Sequence, residues 1–389
     1  MDAKKLEIDL DYLREVLVAM LRIPSPTGRT DEIMQYVGER VDELGLDFEL
    51  TRRGAMLASL EGRQNSPDRA VMVHTDTIGC MVRELKDNGR LAVVPVGTHS
   101  ARFAEGNRVT LFTDDADLVF TGTILPLKAS GHAFDHEVDE QPVAWTQVEV
   151  RIDEPVRSRA DLEELGIRVG DFVAIQALPE ITQNGFVKSR HLDDKAGVAA
   201  VLAAFKALID HEVELEVGVH LLVTISEEVG TGASHGLSKD VAEMVSIDSA
   251  VVAPGQSSRE DAVTVAMQDL HGPFDYHLTR KLLRLASAYD IPHERDVFIH
   301  YRSDVAAALE AGAETRAALI GPGTDATHGF ERTHLEALRA TAELVCVYLQ
   351  TDFTFGTWDA QRRGPLKDFP SSSVQPARRD PSIQDTPDD

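Results

Sequence analysis

The stretch TISEEVG, residues 224 to 230, sets Glu227 and Glu228 side by side at the end of an apolar run. Like charges repel there, and a turn has no need of two carboxylates. Other ionisable residues sit at comparable places. VMVHTD ends on His74 and Asp76, and SRHLDDKAG supplies His191, Asp193 and Asp194 ahead of a helical pattern. MVSIDSA carries Asp248, while GTDATHGFE follows the apolar TRAALI with Asp325, His328 and Glu331. In an open α/β sheet, ligands gather in the crevice at the carboxyl ends of the strands. So many carboxylates in one crevice repel strongly unless cations occupy it, and imidazole nitrogen mixed with carboxylate oxygen suits zinc, or else cobalt or manganese. At a strand-end turn neighbouring side chains diverge, so one glutamate of the pair can bind a metal while the other faces an activated water. Singly, each element is ordinary: His-x-Asp recurs by chance, Asp-Asp before a helix serves as a cap, and Glu-Glu is a solvated pair. The weight lies in their order along the predicted strand ends.

The elements that must position these groups follow from periodicity. Ile33, Met34, Val37, Val41 and Leu44 fall on one helical face, with Ser25, Thr27 and Thr30 upstream as caps. RAVMVH, 69 to 74, is a continuous apolar run, as in a parallel strand covered on both faces. From 81 to 175 the runs RLAVVPVG, RVTLFT, LVFTGTIL, QVEVRI and FVAIQ are short, β-type and separated by turns such as KDNGR. Helix and strand patterns then alternate again: DDKAGVAAVLAAFKALI, LEVGVHLLVTIS, MVSIDSAVVA, DYHLTRKLLRLASAYDI, DVFIHY, TRAALI and THLEALRATAELVCVYLQ. The fold class expected is α/β, a mixed, mostly parallel central sheet flanked by helices with an inserted small β-barrel. The catalytic domain takes 1–80 and 176–357, the barrel and oligomerisation insert 81–175, and a disordered tail 358–389, rich in proline and serine.

Composition bounds the function. The 389 residues carry 39 basic and 65 acidic side chains, a net charge of −26, which excludes a nucleic-acid partner that needs clustered cations. Cys80 and Cys346 stand far apart, so neither a disulfide framework nor a cysteine zinc site is indicated. Acidic residues and Arg22 break the layout of a secretory signal, and no run approaches the roughly 20 apolar residues of a membrane helix. A cytoplasmic protein with no membrane partner is expected.

VHTDTIG, HLDDKAG, SEEVGTGAS, SIDSA and THGFE together resemble the ordered motifs of the dinuclear metalloaminopeptidases of the glutamyl-aminopeptidase and tetrahedral-aminopeptidase family. LVAMLRIPSPTGRTDEI is similar to that family's opening segment, and VRIDEPVRSRADLEELGIRVGDFV to its exit from the insert. The likeness spans residues 10 to 350 and leaves the tail outside. THGFERTH and the tail resemble a branch that accompanies synthesis of the osmolyte N-acetylglutaminylglutamine amide.

The resemblance implies two divalent metal ions per subunit, His74 and Asp248 on one, Glu228 and His328 on the other, and Asp193 bridging. It implies Asp76 orienting His74, Glu227 as general base, and a cis peptide after Asp193. It further implies hydrolysis of the first peptide bond of short peptides, and a homo-oligomer whose family form is a twelve-subunit shell, with His132 of the insert reaching a neighbouring site. Thr77 stands where the family often has Glu, and Lys195 where Arg is frequent; both changes bear on substrate preference more than on metal binding. His191, His235 and His334 are expected to pack or hydrogen-bond, and Arg302 or Arg332 to meet an acidic first residue if one is preferred. The rival readings are a metallohydrolase acting on an N-acyl or amide metabolite, and a non-catalytic scaffold of the same fold. A scaffold has no need of the intact ligand set.

Overall fold

The computed structural model describes residues 3–354 together with the backbone of the two-residue strands Thr357–Trp358 and Val374–Gln375; the segment read as a tail otherwise lies outside the described residues. Thirteen strands form one mixed sheet, whose main path runs Phe48–Leu50, Met56–Leu60, Leu215–Thr224, Gly62–His74, Val241–Ile247, Arg316–Asp325, Glu331–His334, Phe186–Ser189, Glu180–Ile181. The four central strands, Leu215–Thr224 to Arg316–Asp325, are mutually parallel. Antiparallel strands flank them on both sides.

Alternation along the strands divides the core into two layers. Val71 and Val73 of Gly62–His74 join Leu221, Val223, Val245 and Ile247 beneath the helices, whereas Ala70 and Met72 face the other way with Met244 and Leu319. The helix Leu192–Asp210 is buried on nearly every side, between Leu10–Leu21, Leu335–Leu349 and the sheet. Its many alanines allow that, because helix separation is set by side-chain size at the contact. Val305 and Ala308 of the helix Asp304–Glu310 cover the second face. Among the described residues no helix is long and apolar enough to cross a membrane.

The chain leaves the strand ending at His74 and enters a closed barrel, ordered Gly79–Leu85, Leu91–Val96, Val148–Ile152, Val119–Pro126, Arg108–Phe112, Phe172–Ile175. Val82, Leu91, Leu111, Val150 and Val173 fill it, and closure leaves no strand edge exposed. His132 stands exposed on the short helix Gly131–Phe134.

Two strands differ from the sequence reading for local reasons. DVFIHY is not one strand: the paired segment is His293–Val297, because the Asp296 carboxylate accepts from the amides of Ser257 and Ser258 and Phe298 turns to bond Gln268. MVSIDSAVVA splits into Val241–Ile247 and Ala250–Val252. Asp248 sits at the break, passing so close to Gly321 that a Cβ there would lie 1.6 Å from the Asp248 carbonyl oxygen.

Buried charge at the amino side of the parallel strands is matched within the chain. Arg69, paired in register with Glu243, donates to the carbonyls of Tyr348 (2.9 Å) and Thr351 (2.9 Å). Glu243 accepts from the Tyr348 hydroxyl at 3.0 Å and has Lys281 3.8 Å away. The carboxyl side is arranged otherwise.

Candidate metal centre

His74, Thr224, Ile247 and Asp325 each close one of the four adjacent parallel strands, so the residues that follow them overhang a single edge of the sheet. His74 Nε2 lies 3.2 Å from Asp193 Oδ1, 3.9 Å from Glu227 Oε2 and 4.0 Å from Asp248 Oδ1. The second oxygen of Asp193 lies 3.6 Å from His328 Nε2, which in turn is 3.3 Å from Glu228 Oε2. Asp193 is thus shared, one oxygen towards each imidazole. Single donor atoms of His74, Glu227 and Asp248 lie within 4.8 Å of one another, a spacing that one cation can draw together.

The adjacent carboxylates divide. The peptide between Asp193 and Asp194 is cis. Asp193 points into the cluster, while Asp194 Oδ1 accepts the Gly197 amide at 3.2 Å and caps the helix behind it. Gly197 is required there, since a Cβ would stand 2.2 Å from that oxygen. Glu227 and Glu228 diverge likewise. Glu228 Oε1 accepts the Ile78 amide at 3.2 Å and its other oxygen faces His328. Glu227 lies on the open side, its side chain 11% accessible against 3% for Glu228.

Three buried carboxylates hold the turns that carry these groups. Asp76 accepts from the amides of Glu227 (3.1 Å) and Glu228 (3.3 Å) and from the Thr27 hydroxyl (2.6 Å). His74 Nδ1 is 3.0 Å from the Asp76 carbonyl and 3.5 Å from its carboxylate. Both acceptors hold the ring with Nε2 towards the cluster. Glu331 accepts from the amides of Leu192 (2.6 Å), Asp193 (3.2 Å) and His328 (2.9 Å). Asp304 accepts from the Thr224 hydroxyl (2.5 Å) and the Ala233 amide (2.7 Å), fixing both ends of the glutamate turn. The barrel contributes the Thr98 carbonyl, 2.8 Å from His328 Nδ1.

Electrostatics state the conflict directly. Burial pushes the Glu227, Glu228 and Asp248 carboxyls well above their usual range, and repulsion among them and from Asp193 and neighbouring acids adds to it. Burial opposes a charge on His74, yet hydrogen bonds to Asp193 and Asp76 and the charges of Glu227 and Asp248 win, so its imidazole is raised well above its ordinary value. A proton on His74 answers the surplus of negative charge where a metal cation would answer it better. Burial also raises Tyr301, with the charge of Asp248, Asp193, Glu227 and Asp194 acting on its phenol.

The other sequence candidates are engaged elsewhere. His191 Nε2 meets the Ile175 carbonyl (2.8 Å), His235 the Thr51 hydroxyl (3.3 Å) and His334 the Asn184 carbonyl (2.7 Å). Asp325 stays in its strand, opposite Arg332. Neither proposed specificity arginine stands free: Arg302 pairs with Glu310 at 2.8 Å, and Arg332 grips Glu260 through two bonds of 2.7 and 2.9 Å. Sequence reasoning missed Thr98, whose carbonyl has no signature, as well as Asp304. It found Glu331 without seeing that it anchors amides.

Comparison with known proteins shows what the chain is similar to. The profile of M42 glutamyl aminopeptidases matches residues 54–344. The Bacillus subtilis (strain 168) protein YhfE is 37% identical over 337 residues, covering 87% of this chain and 97% of its own. The glutamyl aminopeptidase of Lactococcus lactis is 28% identical over 218 residues, 54% of this chain and 59% of its own. In fold, the TET1 peptidase of Pyrococcus horikoshii superposes with a TM-score of 0.76 at 23% identity, covering 87% of this chain and 99% of that one. A family profile spanning most of the chain and a relative matched along nearly its full length place this protein in the M42 glutamyl aminopeptidase family, the metallo-aminopeptidases.

Proposed function

We propose that this aminopeptidase removes the first residue of short peptides at a pair of divalent cations, with Glu227 carrying the proton. The observation that supports it most is Asp193, whose two oxygens face different imidazoles, His74 at 3.2 Å and His328 at 3.6 Å. His74 and Asp248 would hold one cation, Glu228 and His328 the other, with Asp193 common to both. Nitrogen and oxygen donors without thiolate suit zinc, then cobalt or manganese. When bound, the cations supply Lewis acidity, acidifying a water and polarising the scissile carbonyl.

The protein's own groups do the rest. Glu227, the accessible carboxylate of the set, takes a proton from the attacking water and returns it to the departing amine. Asp76 holds the amides of both glutamates, so the proton carrier and the neighbouring ligand keep a fixed offset. Glu331 does the same for Asp193 and His328.

Glu227→Gln is expected to lower turnover of aminoacyl-nitroanilides by about 10²- to 10⁴-fold with metal content unchanged, while Asp193→Ala loses metal. A fully active Glu227→Gln enzyme refutes the assignment, and loss of metal from it makes Glu227 a ligand instead. Parallel assays of free-amine and N-acetylated peptides separate an aminopeptidase from a deacylase, since only the former needs the amine. For assembly, the Pyrococcus horikoshii relative forms a tetrahedron or a larger octahedral shell, and we infer a homo-oligomer of that kind here, with light scattering as the check. Cys80 and Cys346, buried and free, accord with a reducing, cytoplasmic setting.

A further inference from the structure

Tyr301 lies in the irregular segment between the strand His293–Val297 and the helix Asp304–Glu310, and its side chain is held in place. The Tyr301 carbonyl accepts the Leu270 amide at 2.8 Å, and its ring meets Phe298 edge-on at 5.2 Å between centroids. Three residues on, the Asp304 carboxylate is clamped to Thr224 and Ala233 at the base of the glutamate turn. The residue is partly accessible, yet its hydroxyl oxygen is shut off from solvent and has no hydrogen-bond partner among the described residues. A buried hydroxyl without a partner costs about 1–3 kcal/mol and calls for an explanation in terms of function or a ligand.

The surroundings narrow that explanation. Asp304, three residues on, holds Thr224 and Ala233 on either side of Glu227 and Glu228, which puts this segment beside the metal centre, and the charges of Asp248, Asp193 and Glu227 act on the phenol accordingly. Ser249 and Ser303 also bury hydroxyls without partners, but a serine hydroxyl swings about Cβ and can find another acceptor. A phenol oxygen is fixed by its ring, and this ring is wedged against Phe298. Next to carboxylates committed to cations, a protonated phenol has its O–H free to donate to a ligand. What a peptidase site lacks before substrate enters is an acceptor at the place where carbonyl oxygen becomes alkoxide.

Building on the proposed aminopeptidase reaction, we propose that the Tyr301 hydroxyl donates a hydrogen bond to the oxygen of the scissile carbonyl as water adds to its carbon, making Tyr301 a catalytic residue of this chain. As the new carbon–oxygen bond forms, the carbonyl π pair moves onto that oxygen, and the O–H of Tyr301 stabilises it without transferring its proton. The carbonyl re-forms when the amine leaves, and the hydrogen bond weakens again.

The test uses the full-length, metal-loaded enzyme. Tyr301→Phe removes only an unpartnered oxygen, so the melting temperature should not fall, and assembly and metal content should match the parent. Its kcat should fall by about 10²- to 10³-fold, as for loss of one oxyanion donor, with KM within about threefold. Affinity for a phosphinic peptide, which carries the tetrahedral oxygen, should fall by a similar factor, while affinity for the product amino acid stays constant. Replacing Tyr301 by 3,5-difluorotyrosine, whose phenol ionises nearer neutrality, should add a new alkaline limb to the kcat profile. A Tyr301→Phe enzyme with kcat within threefold of the parent, or equal weakening of phosphinic peptide and product, overturns the proposal, as does loss of metal. Glu227→Gln assayed alongside keeps the two readings apart: if it is inactive and Tyr301→Phe is not, only the role of Tyr301 fails.

Discussion

If two cations bind as proposed, replacing Glu331 by glutamine should weaken one binding event and leave the other intact. Oε2 of Glu331 accepts the amides of Leu192 and Asp193, and Oε1 accepts that of His328. Glutamine keeps the shape but exchanges one oxygen for an NH2. Its cheaper orientation keeps the carbonyl on Leu192 and Asp193 and turns the NH2 against the His328 N–H. One bond to a charged acceptor is lost, worth about 1.5–3 kcal/mol. His328 needs that bond because its backbone lies at φ +62°, a left-handed conformation costing about 1–2 kcal/mol for a side-chain-bearing residue. Burial, with repulsion from Asp193, pushes the Glu331 carboxyl up to about 8, so in the metal-free protein near pH 7 it is largely neutral and resembles glutamine. Cations beside Asp193 favour its ionised form, and the loss therefore falls on the loaded state. At about 1.4 kcal/mol per tenfold, the site built on His328 and Glu228 should weaken by about 10- to 150-fold. Titration calorimetry against a competing chelator reads this as one weakened and one unchanged isotherm, with less proton release than in the parent. The metal-free proteins supply a control. Between pH 4.5 and about 8 the folded chain holds a proton that the unfolded chain has shed, so stability falls as pH rises through that window, and Glu331→Gln flattens the fall. Two parent-like isotherms, or two equally weakened ones, would refute the reasoning.

Other perturbations probe neighbouring parts. Gly232→Ala places a Cβ 2.2 Å from Asp304 Oδ1 and should break its bonds to Thr224 and Ala233, lowering stability by about 2–4 kcal/mol and slowing turnover; thermal unfolding and kcat are the readouts, and a parent-like melting curve counts against the clamp. Lys281 is held down to about 8 by burial, against the opposing pull of Glu243. Between pH 8 and 10.5 the unfolded chain binds a proton that the folded one lacks, so stability rises with pH there; Lys281→Met should remove that rise, measured by urea unfolding across the window. Chelation of the cations proposed here should raise the susceptibility of the glutamate turn and of the segment 325–331 to hydrogen exchange and leave the barrel strands unchanged, because the former carry the clustered buried carboxylates Glu227, Glu228 and Glu331.

The sheet edge that gathers His74, Asp193, Glu227, Glu228, Asp248 and His328 was legible because ionisable residues there coincide with local pattern. An apolar run ending on His74, and another ending before Glu227, signal buried strands by their length and their abrupt stop. The flanking strands Met56–Leu60 and Phe186–Ser189 were not legible, since each is short, its local partner, Phe48–Leu50 or Glu180–Ile181, is shorter still, and its other partner, Leu215–Thr224 or Glu331–His334, is distant in sequence. DVFIHY misled for a related reason: β-branched and aromatic residues favour extended backbone, but Asp296 spends its carboxylate on the amides of Ser257 and Ser258, and Phe298 and Tyr301 turn to cap other loops. Arg302 and Arg332 looked available in sequence because nothing local tells an arginine which carboxylate it will meet.

The two ends of the parallel sheet explain why the cluster needs so many supporting acids. Where Arg69, Lys281 and Glu243 meet, opposite charges settle one another inside the chain. At the other end the charges are nearly all of one sign, so they repel until cations arrive, and a loop free to relax would carry them apart. Asp76, Glu331 and Asp304 prevent that by bonding backbone amides and threonine hydroxyls, which fixes the turns without consuming ligand atoms. Thr98 extends the device to the barrel: its carbonyl orients His328 with no charge at all. The insert therefore reaches the site through a backbone oxygen, and a barrel substitution that shifts Gly97–Thr98 should loosen the cation proposed at His328 as Glu331→Gln does, though no proposed ligand is touched.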